Sequence, residues 1–234
     1  MTEKENQEER RENLKEFGEL WIPEGNRKNP RGTIVCLTII GEIEGHMNLA
    51  SQNKVTKYEH LLPQLAAVRE NPELDGVLLL LNTVGGDIEA GLAIAEMIAG
   101  LGKPSVSLIL GGSHSIGVPL AVSADYSYIV PSASMTIHPV RTSGMVIGVS
   151  QTFIYLERIQ NSILDFIARH SHVQRDRLRR LMLNTDEMAK DIGTVLMGEE
   201  AVREGLIDEV GGLDDAMEKL YALIAEEREN SRSE

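Results

Sequence analysis

Cysteine is almost absent from this sequence: Cys36 is the only one in 234 residues. A single thiol excludes an internal disulfide and any cysteine-based metal site, and it suits the reducing cytoplasm. Long apolar runs are missing too. Runs such as Val77 to Leu81 are far too short to cross a bilayer. Positive charge is in deficit, with 23 Lys and Arg against 36 Asp and Glu, a formal charge of −13. No basic stripe offsets it, which argues against a nucleic-acid or anionic-membrane surface. The opening "MTEKENQEERRENLKEFGEL" is charged with both signs and lacks the apolar stretch of a signal peptide.

What is present is an ordinary globular composition. At 42% apolar the chain can bury a substantial core, enough for one α/β domain with extensions or two small domains. Residues 1–31 read as a charged, flexible extension in which no apolar period is sustained. Its one apolar cluster, Phe17, Leu20, Trp21 and Ile22, holds the only Trp. A regular pattern begins at Gly32 and carries one domain over residues 32–228, with a polar tail at 229–234.

Within that domain strands alternate with helices. "TIVCLTII", "GVLLLLN" and "PSVSLIL" read as buried strands, and "YSYIV" and "SMTIH" as short ones. Residues 55–70 place Tyr58, Leu61, Leu62, Leu65 and Val68 on one helical face, and "DIEAGLAIAEMIAGLG" is a helix ended by Gly102. The longest helix spans 150–170, where Phe153, Leu156, Ile159, Ile163, Phe166 and Ile167 recur at three and four. Further helical stretches lie near 174–183, 198–204 and 213–227, with "GLIDEVGG" as strand and turn. Such alternation predicts an α/β fold with a parallel-type sheet covered on both faces.

Two strand-to-helix junctions are rich in glycine: "NTVGGD" at 82–87 and "GGSHSIG" at 111–117. Junctions at the carboxyl ends of strands are where open α/β sheets bind ligands. Glycines there permit positive φ, and the first turn of the following helix leaves N–H groups unpaired. Two adjacent junctions could aim one amide each at a single carbonyl oxygen, the geometry of an oxyanion hole. Ser115 opens a helix, where taken alone it reads as a cap. His138 ends a strand and precedes Pro139, which biases it to an extended loop exit. Together they are more specific, because a weakly nucleophilic hydroxyl needs an imidazole to take its proton. "GGSHSIG" is neither a Walker loop nor G-x-G-x-x-G, and it fails G-x-S-x-G because Ser113 stands where a Gly is required. His114 and His138 have no obvious third partner for a metal, and "RHSH" at 169–172 reads as helix-dipole histidines. No metal and no cofactor are expected.

Four segments, in this order and spacing, carry a resemblance. "LNTVGGDIEAGLAIAEMI", "GGSHSIGVPLAVSAD", "SASMTIHPV" and "MGEEAVREGLIDEV" resemble the Clp protease proteolytic subunits, within the crotonase-like fold, and most nearly the branch called translocation-enhancing proteins. The resemblance runs from about Gly32 to about Ala225. It implies a spiral of β-strand–turn–helix units with a long handle helix. It also implies a serine-type endopeptidase in which Ser115 is the nucleophile and His138 the general base. The N–H of Ile116, with one from the Gly85–Gly86 turn, would form the oxyanion hole. The helix at 150–170 would be the handle by which rings of subunits stack. Unfolded polypeptide would be the substrate, passed in by an ATP-dependent unfoldase.

The sequence departs from the family pattern at Val84, where the family has Pro, and after His138, where Pro139 follows at once and "VRTSGMVIG" leads into the handle. The N-terminal segment is longer and more charged than the family's usual axial loop. The family's triad Asp aligns with Gly193; Asp191 lies two residues earlier and Asp186 seven. The acid is therefore displaced, with Asp191 as the candidate, or missing. In the latter case a Ser–His dyad would be held by a backbone carbonyl or by Thr194. An inactive scaffold or adaptor paralogue is the competing reading. Acyl-CoA chemistry ranks last, because it needs the paired amides but not the Ser–His pair.

Overall fold

Apolar runs of strand length, separated by helices with one apolar face, can bury their surface only by stacking in layers. The computed structural model describes residues 29–142, 147–186 and 192–233 and has this arrangement. In chain order the elements are β1 (Ile34–Glu44), β2 (Val55–Lys57), α1 (Tyr58–Glu70), β3 (Gly76–Gly86), α2 (Ile88–Ala99), β4 (Ser105–His114) and α3 (Gly117–Val122). They continue as β5 (Tyr126–Ile129), β6 (Ser134–Ile137), α4 (Val149–Arg169), α5 (Arg175–Met182), β7 (Thr194–Met197), α6 (Gly198–Arg203), β8 (Glu209–Val210) and α7 (Leu213–Ser233).

The strands form one sheet in the order β2-β1-β3-β4-β5-β8, with β6 branching from β4 and β7 pairing β6. Every pairing is parallel except β6 with β7. The branch positions the site. The first half of β4 pairs β5 through Val106–Ile109, and its last residues, Gly112 to His114, pair β6 through Ser134–Thr136. The register shift between Leu81 and Thr83 marks where the sheet divides.

One face of the sheet packs against α1, α2 and α3, with Ile39, Leu65, Leu79, Leu81, Ile94 and Ile98 almost fully buried. On the other face α7 lays Ala216, Leu220 and Ile224 against Leu78, Val106, Leu108 and Tyr128. Each such side chain contributes about 1.5–3 kcal/mol on burial.

Several sequence expectations are corrected here. β1 is not covered on both faces: Val35, Leu37 and Ile39 are buried, while Cys36, Thr38 and Ile40 alternate outward and are exposed. The reason is that α7 lies over β3, β4 and β5, and of β1 only its first residue, Ile34, packs against that cluster. Residues 55–57 pair β1 as a short strand before the helix begins. β7, which the sequence reading missed, contributes the antiparallel pairing. Neither glycine-rich segment is a loop throughout. Backbone pairing holds β3 to Gly86 and β4 to His114, so the chain leaves the sheet only at Asp87 and Ser115.

α4 nearly matches the span predicted for the longest helix but is two-sided along its length. Ile163, Leu164, Phe166 and Ile167 are buried, whereas Val149, Phe153, Ile154 and Tyr155 in its first half are exposed.

Candidate active site

Ser115 is the one non-glycine residue with positive φ among the described residues, at +57°. That conformation costs a residue with a Cβ roughly 1–3 kcal/mol, and it persists only where the surroundings enforce it. Here they do. The Ser115 N–H donates to the Thr136 carbonyl of β6 at 2.8 Å, and the Ser115 carbonyl accepts from Val118 N–H at 3.1 Å. Two residues earlier, the buried Ser113 hydroxyl donates to the Gly117 carbonyl at 2.6 Å. Ser115 thereby stands two residues before α3, directly ahead of the N-cap residue Ile116, rather than capping the helix itself.

The glycines crowd this turn rather than loosen it. A Cβ on Gly85, which has φ +88°, would lie 2.6 Å from the His114 carbonyl and 2.9 Å from Ser115 Cβ. A Cβ on Gly91 of α2 would meet Ile116 Cγ1 at 2.4 Å, and one on Gly117 would meet Thr83 Cγ2 at 2.8 Å. The Thr83 hydroxyl donates to the Gly41 carbonyl at 2.6 Å and accepts from Gly85 N–H at 3.1 Å. Asp87 N–H, one residue beyond Gly86, donates to the Ile43 carbonyl of β1 at 2.9 Å. In a parallel ladder the residue between two bonded positions turns its own N–H the other way. Gly85 N–H is therefore engaged, and of the two glycines it is Gly86 that borders the cavity next to Ser115. Val84 is exposed and packs nothing there.

That cavity, of about 190 Å³, brings the separated sequence candidates together. Gly86, Ser115, Ile116 and His138 line it, with an apolar wall that includes Val118, Ile163, Ile167 and Met182. His138 is half-buried at the end of β6. Its Nδ1 lies 2.8 Å from the Pro139 carbonyl oxygen, which can only accept. In the neutral ring the proton therefore sits on Nδ1, which makes Nε2 the acceptor.

His114, a bystander on sequence grounds, ties two strands together. Its Nδ1 lies 2.8 Å from the Thr136 hydroxyl, on the strand that also receives the Ser115 N–H. Burial first, then the nearby His138, hold its pKa below the usual imidazole value. The last-turn histidines also differ from expectation. His170 stacks on Phe166 at 4.4 Å between centroids, and burial, with Arg169 as the lesser cause, lowers its pKa. His172 instead faces Asp208 across 3.2 Å. No cluster of three or more His, Cys, Asp or Glu suited to a metal occurs among the described residues. None of their helices is long and apolar enough to cross a membrane.

Residues 31–213 match the family model described as Clp protease. The chain belongs to the Clp protease family. It is 52% identical over 217 residues to the translocation-enhancing protein TepA of Halalkalibacterium halodurans, covering 93% of this chain and 83% of that protein. It is also 28% identical over 200 residues to the Methanocaldococcus jannaschii protein named "Putative protease MJ0651", covering 71% of this chain and 60% of that one. The likeness to the translocation-enhancing branch, drawn from four motifs, thus extends over most of the chain.

Gly193 stands at the position for which the sequence resemblance implies an acid. Gly193 has φ +139°, and a Cβ there would lie 2.4 Å from the Ile137 carbonyl, 2.9 Å from His138 Cβ and 3.1 Å from His138 Cα. Main chain fills the space where a side chain would begin. Its N–H donates to the Asn184 carbonyl at 2.7 Å. Thr194 points elsewhere: its hydroxyl donates to the Leu181 carbonyl at 2.8 Å. Asp186 is exposed, with its N–H on Asn184 Oδ1 at 3.1 Å. Asp191 lies outside the described residues.

Proposed function

We propose that this Clp protease family member is a serine-type endopeptidase working through a Ser115–His138 dyad. The observation that carries the reading is the strained Ser115 turn sharing one cavity with a His138 whose Nδ1 rests on the Pro139 carbonyl. His138 Nε2 takes the Ser115 proton as Oγ attacks the scissile carbonyl. The N–H groups of Gly86 and Ile116 receive the developing oxyanion, and His138 returns the proton to the leaving amine. Water then hydrolyses the acyl-enzyme by the same proton path.

Much of the damage in a triad that loses its acid, on the order of 10⁴ in turnover, comes from the wrong imidazole tautomer. The Pro139 carbonyl fixes the right tautomer without a carboxylate. It supplies no full charge to balance the imidazolium, so a slower enzyme than a complete triad is expected.

The substrate is extended or unfolded polypeptide, and the working form is a homo-oligomeric ring in the cytoplasm. The exposed first half of α4, where Phe153 is 66% accessible, supports assembly, because such a stripe is a poor free surface. Residues 1–31 are a charged extension to the peptidase domain at 32–228, with a polar tail beyond it. A link to protein export rests on the word translocation in the name of the Halalkalibacterium relative, and a link to turnover and delivery by an ATP-dependent unfoldase on family membership. A second reading, an assembly that has become a weak or inactive scaffold, is favoured by the closed space at Gly193.

A fluorophosphonate probe separates the two. Labelling of the intact oligomer that vanishes in Ser115→Ala supports the peptidase, and unlabelled wild type with peptide access demonstrated supports the scaffold. Light scattering tests the ring, and a monomer at micromolar concentration would contradict it.

A further inference from the structure

The segment by which this chain departs from the family pattern after its histidine, "VRTSGMVIG", contributes two residues to the cavity, Val140 and Arg141. The cavity is otherwise lined by aliphatic side chains, glycine, proline, methionine, Ser115 and His138, and no Asp or Glu lines it among the described residues. Among the described residues Arg141 is its one permanently charged group, in a chain whose formal charge is −13. We propose that Arg141 is a specificity-determining residue. It would select extended peptides that carry a carboxylate side chain within two residues of the aliphatic side chain held in the cavity. The inference rests on the peptidase reading of the site and adds the substrate class to it.

The physical argument has two parts. Ile88, Val118, Ile163, Ile167 and Met182 offer only dispersion and desolvation, so they select an apolar side chain by size and remain indifferent to charge beside it. A guanidinium at the same cavity presents a planar fork of donors that matches a carboxylate and repels an ammonium. Arg141 is exposed and has a partner within the chain, so a substrate carboxylate exchanges one contact for another. The selection is accordingly modest, the size of a surface ion pair, and it weakens with salt.

The test uses full-length protein and two fluorescein-labelled extended peptides, identical around a central leucine except for Glu or Lys two residues away. Binding is read by anisotropy on Ser115→Ala protein, and kcat/KM on the wild-type background. The Glu peptide is expected to bind and turn over about three- to tenfold better at low ionic strength, with the preference largely gone in 0.5 M NaCl. Arg141→Lys keeps the sign of the preference, Arg141→Gln removes it and Arg141→Glu reverses it. A Glu-to-Lys ratio unchanged in Arg141→Glu, or no binding of either peptide, overturns the proposal. Because binding to Ser115→Ala needs no chemistry, a charge preference seen there without turnover in wild type would leave the specificity standing and sink the peptidase.

Discussion

The two halves of the candidate site are built on opposite plans. Around Ser115 the main chain is held by side chains and interlocked glycines: Thr83 on Gly85, Ser113 on Gly117, Gly91 against Ile116. Around His138 the described residues give a sparser frame: the Pro139 carbonyl on Nδ1, the Gly193 backbone against its Cα and Cβ, and Gln160 Oε1 accepting from Val140 N–H at 3.3 Å. A nucleophile that must hold an αL turn needs many contacts, since each displacement is resisted only by packing. A base needs one acceptor in the right place. The contrast teaches that loss of a catalytic acid need not leave a histidine unoriented when the main chain closes over the position.

The largest expected effect comes from breaking the nucleophile half. Gly85→Ala would force the positive φ and place a methyl against the His114 carbonyl and Ser115 Cβ. We expect kcat/KM to fall at least about 10²-fold, as for a misplacement of about 1 Å, with a loss of about 1–3 kcal/mol in stability. Denaturant midpoints measured beside peptidase rates check both. Activity within a few-fold of wild type would mean that the Ser115 turn is not held by these contacts.

Next in size is the attempt to repair the base half. Gly193→Asp restores the family's residue type at the aligned position, and if the acid alone were missing the rate should rise. The contacts with Ile137 and His138 predict the reverse: no gain in kcat, and destabilisation by about 1–3 kcal/mol from the strained φ and the displaced strand. A faster enzyme would show that the main chain there yields easily and that the dyad was waiting for its acid.

Sequence reasoning read the layers and the site to different depths. Ser115, His138 and the paired glycines were legible because their motifs are local and ordered along the chain. The two strands the sequence missed are too short to show a hydropathy period: β2 has three residues, and in the four of β7 the exposed Val195 and Met197 are apolar while the buried Thr194 is polar. The strand character of Gly111 to His114 was hidden for another reason. Glycine has low intrinsic strand preference, and pairing with β6 overrides it here. A backbone carbonyl was one of the partners the sequence left open for His138, but which carbonyl could not be read, because main-chain acceptors leave no signature in residue type. Proline immediately after the histidine was the one hint, and its meaning depended on where its carbonyl pointed.

A smaller effect is expected from the remaining acids. If the Pro139 carbonyl is what holds His138, Asp191→Asn and Asp186→Asn should each leave the acylation rate within about threefold of wild type, since no tautomer is lost. Strong slowing by Asp191→Asn, measured as single-turnover labelling, would restore a displaced triad and remove the asymmetry between the two halves.

The smallest effect concerns the joint between them, His114 on the Thr136 hydroxyl. Its pKa is lowered in the folded protein, by burial and by His138, whereas in the unfolded chain it takes the ordinary value near about 6.5. Above that value neither state binds the proton and His114 leaves stability independent of pH. As pH falls below it, the unfolded chain binds the proton first, so stability declines until the lower folded value is passed and then levels off. His170 shifts in the same direction, so wild type alone cannot assign the slope. His114→Gln keeps an acceptor for Thr136 and removes one titration. Wild type should therefore lose more stability between pH 7 and pH 5 than His114→Gln, by less than the Gly193→Asp effect. Equal losses, measured by guanidinium unfolding at the two pH values, would mean that the β4–β6 joint carries no proton-linked stability.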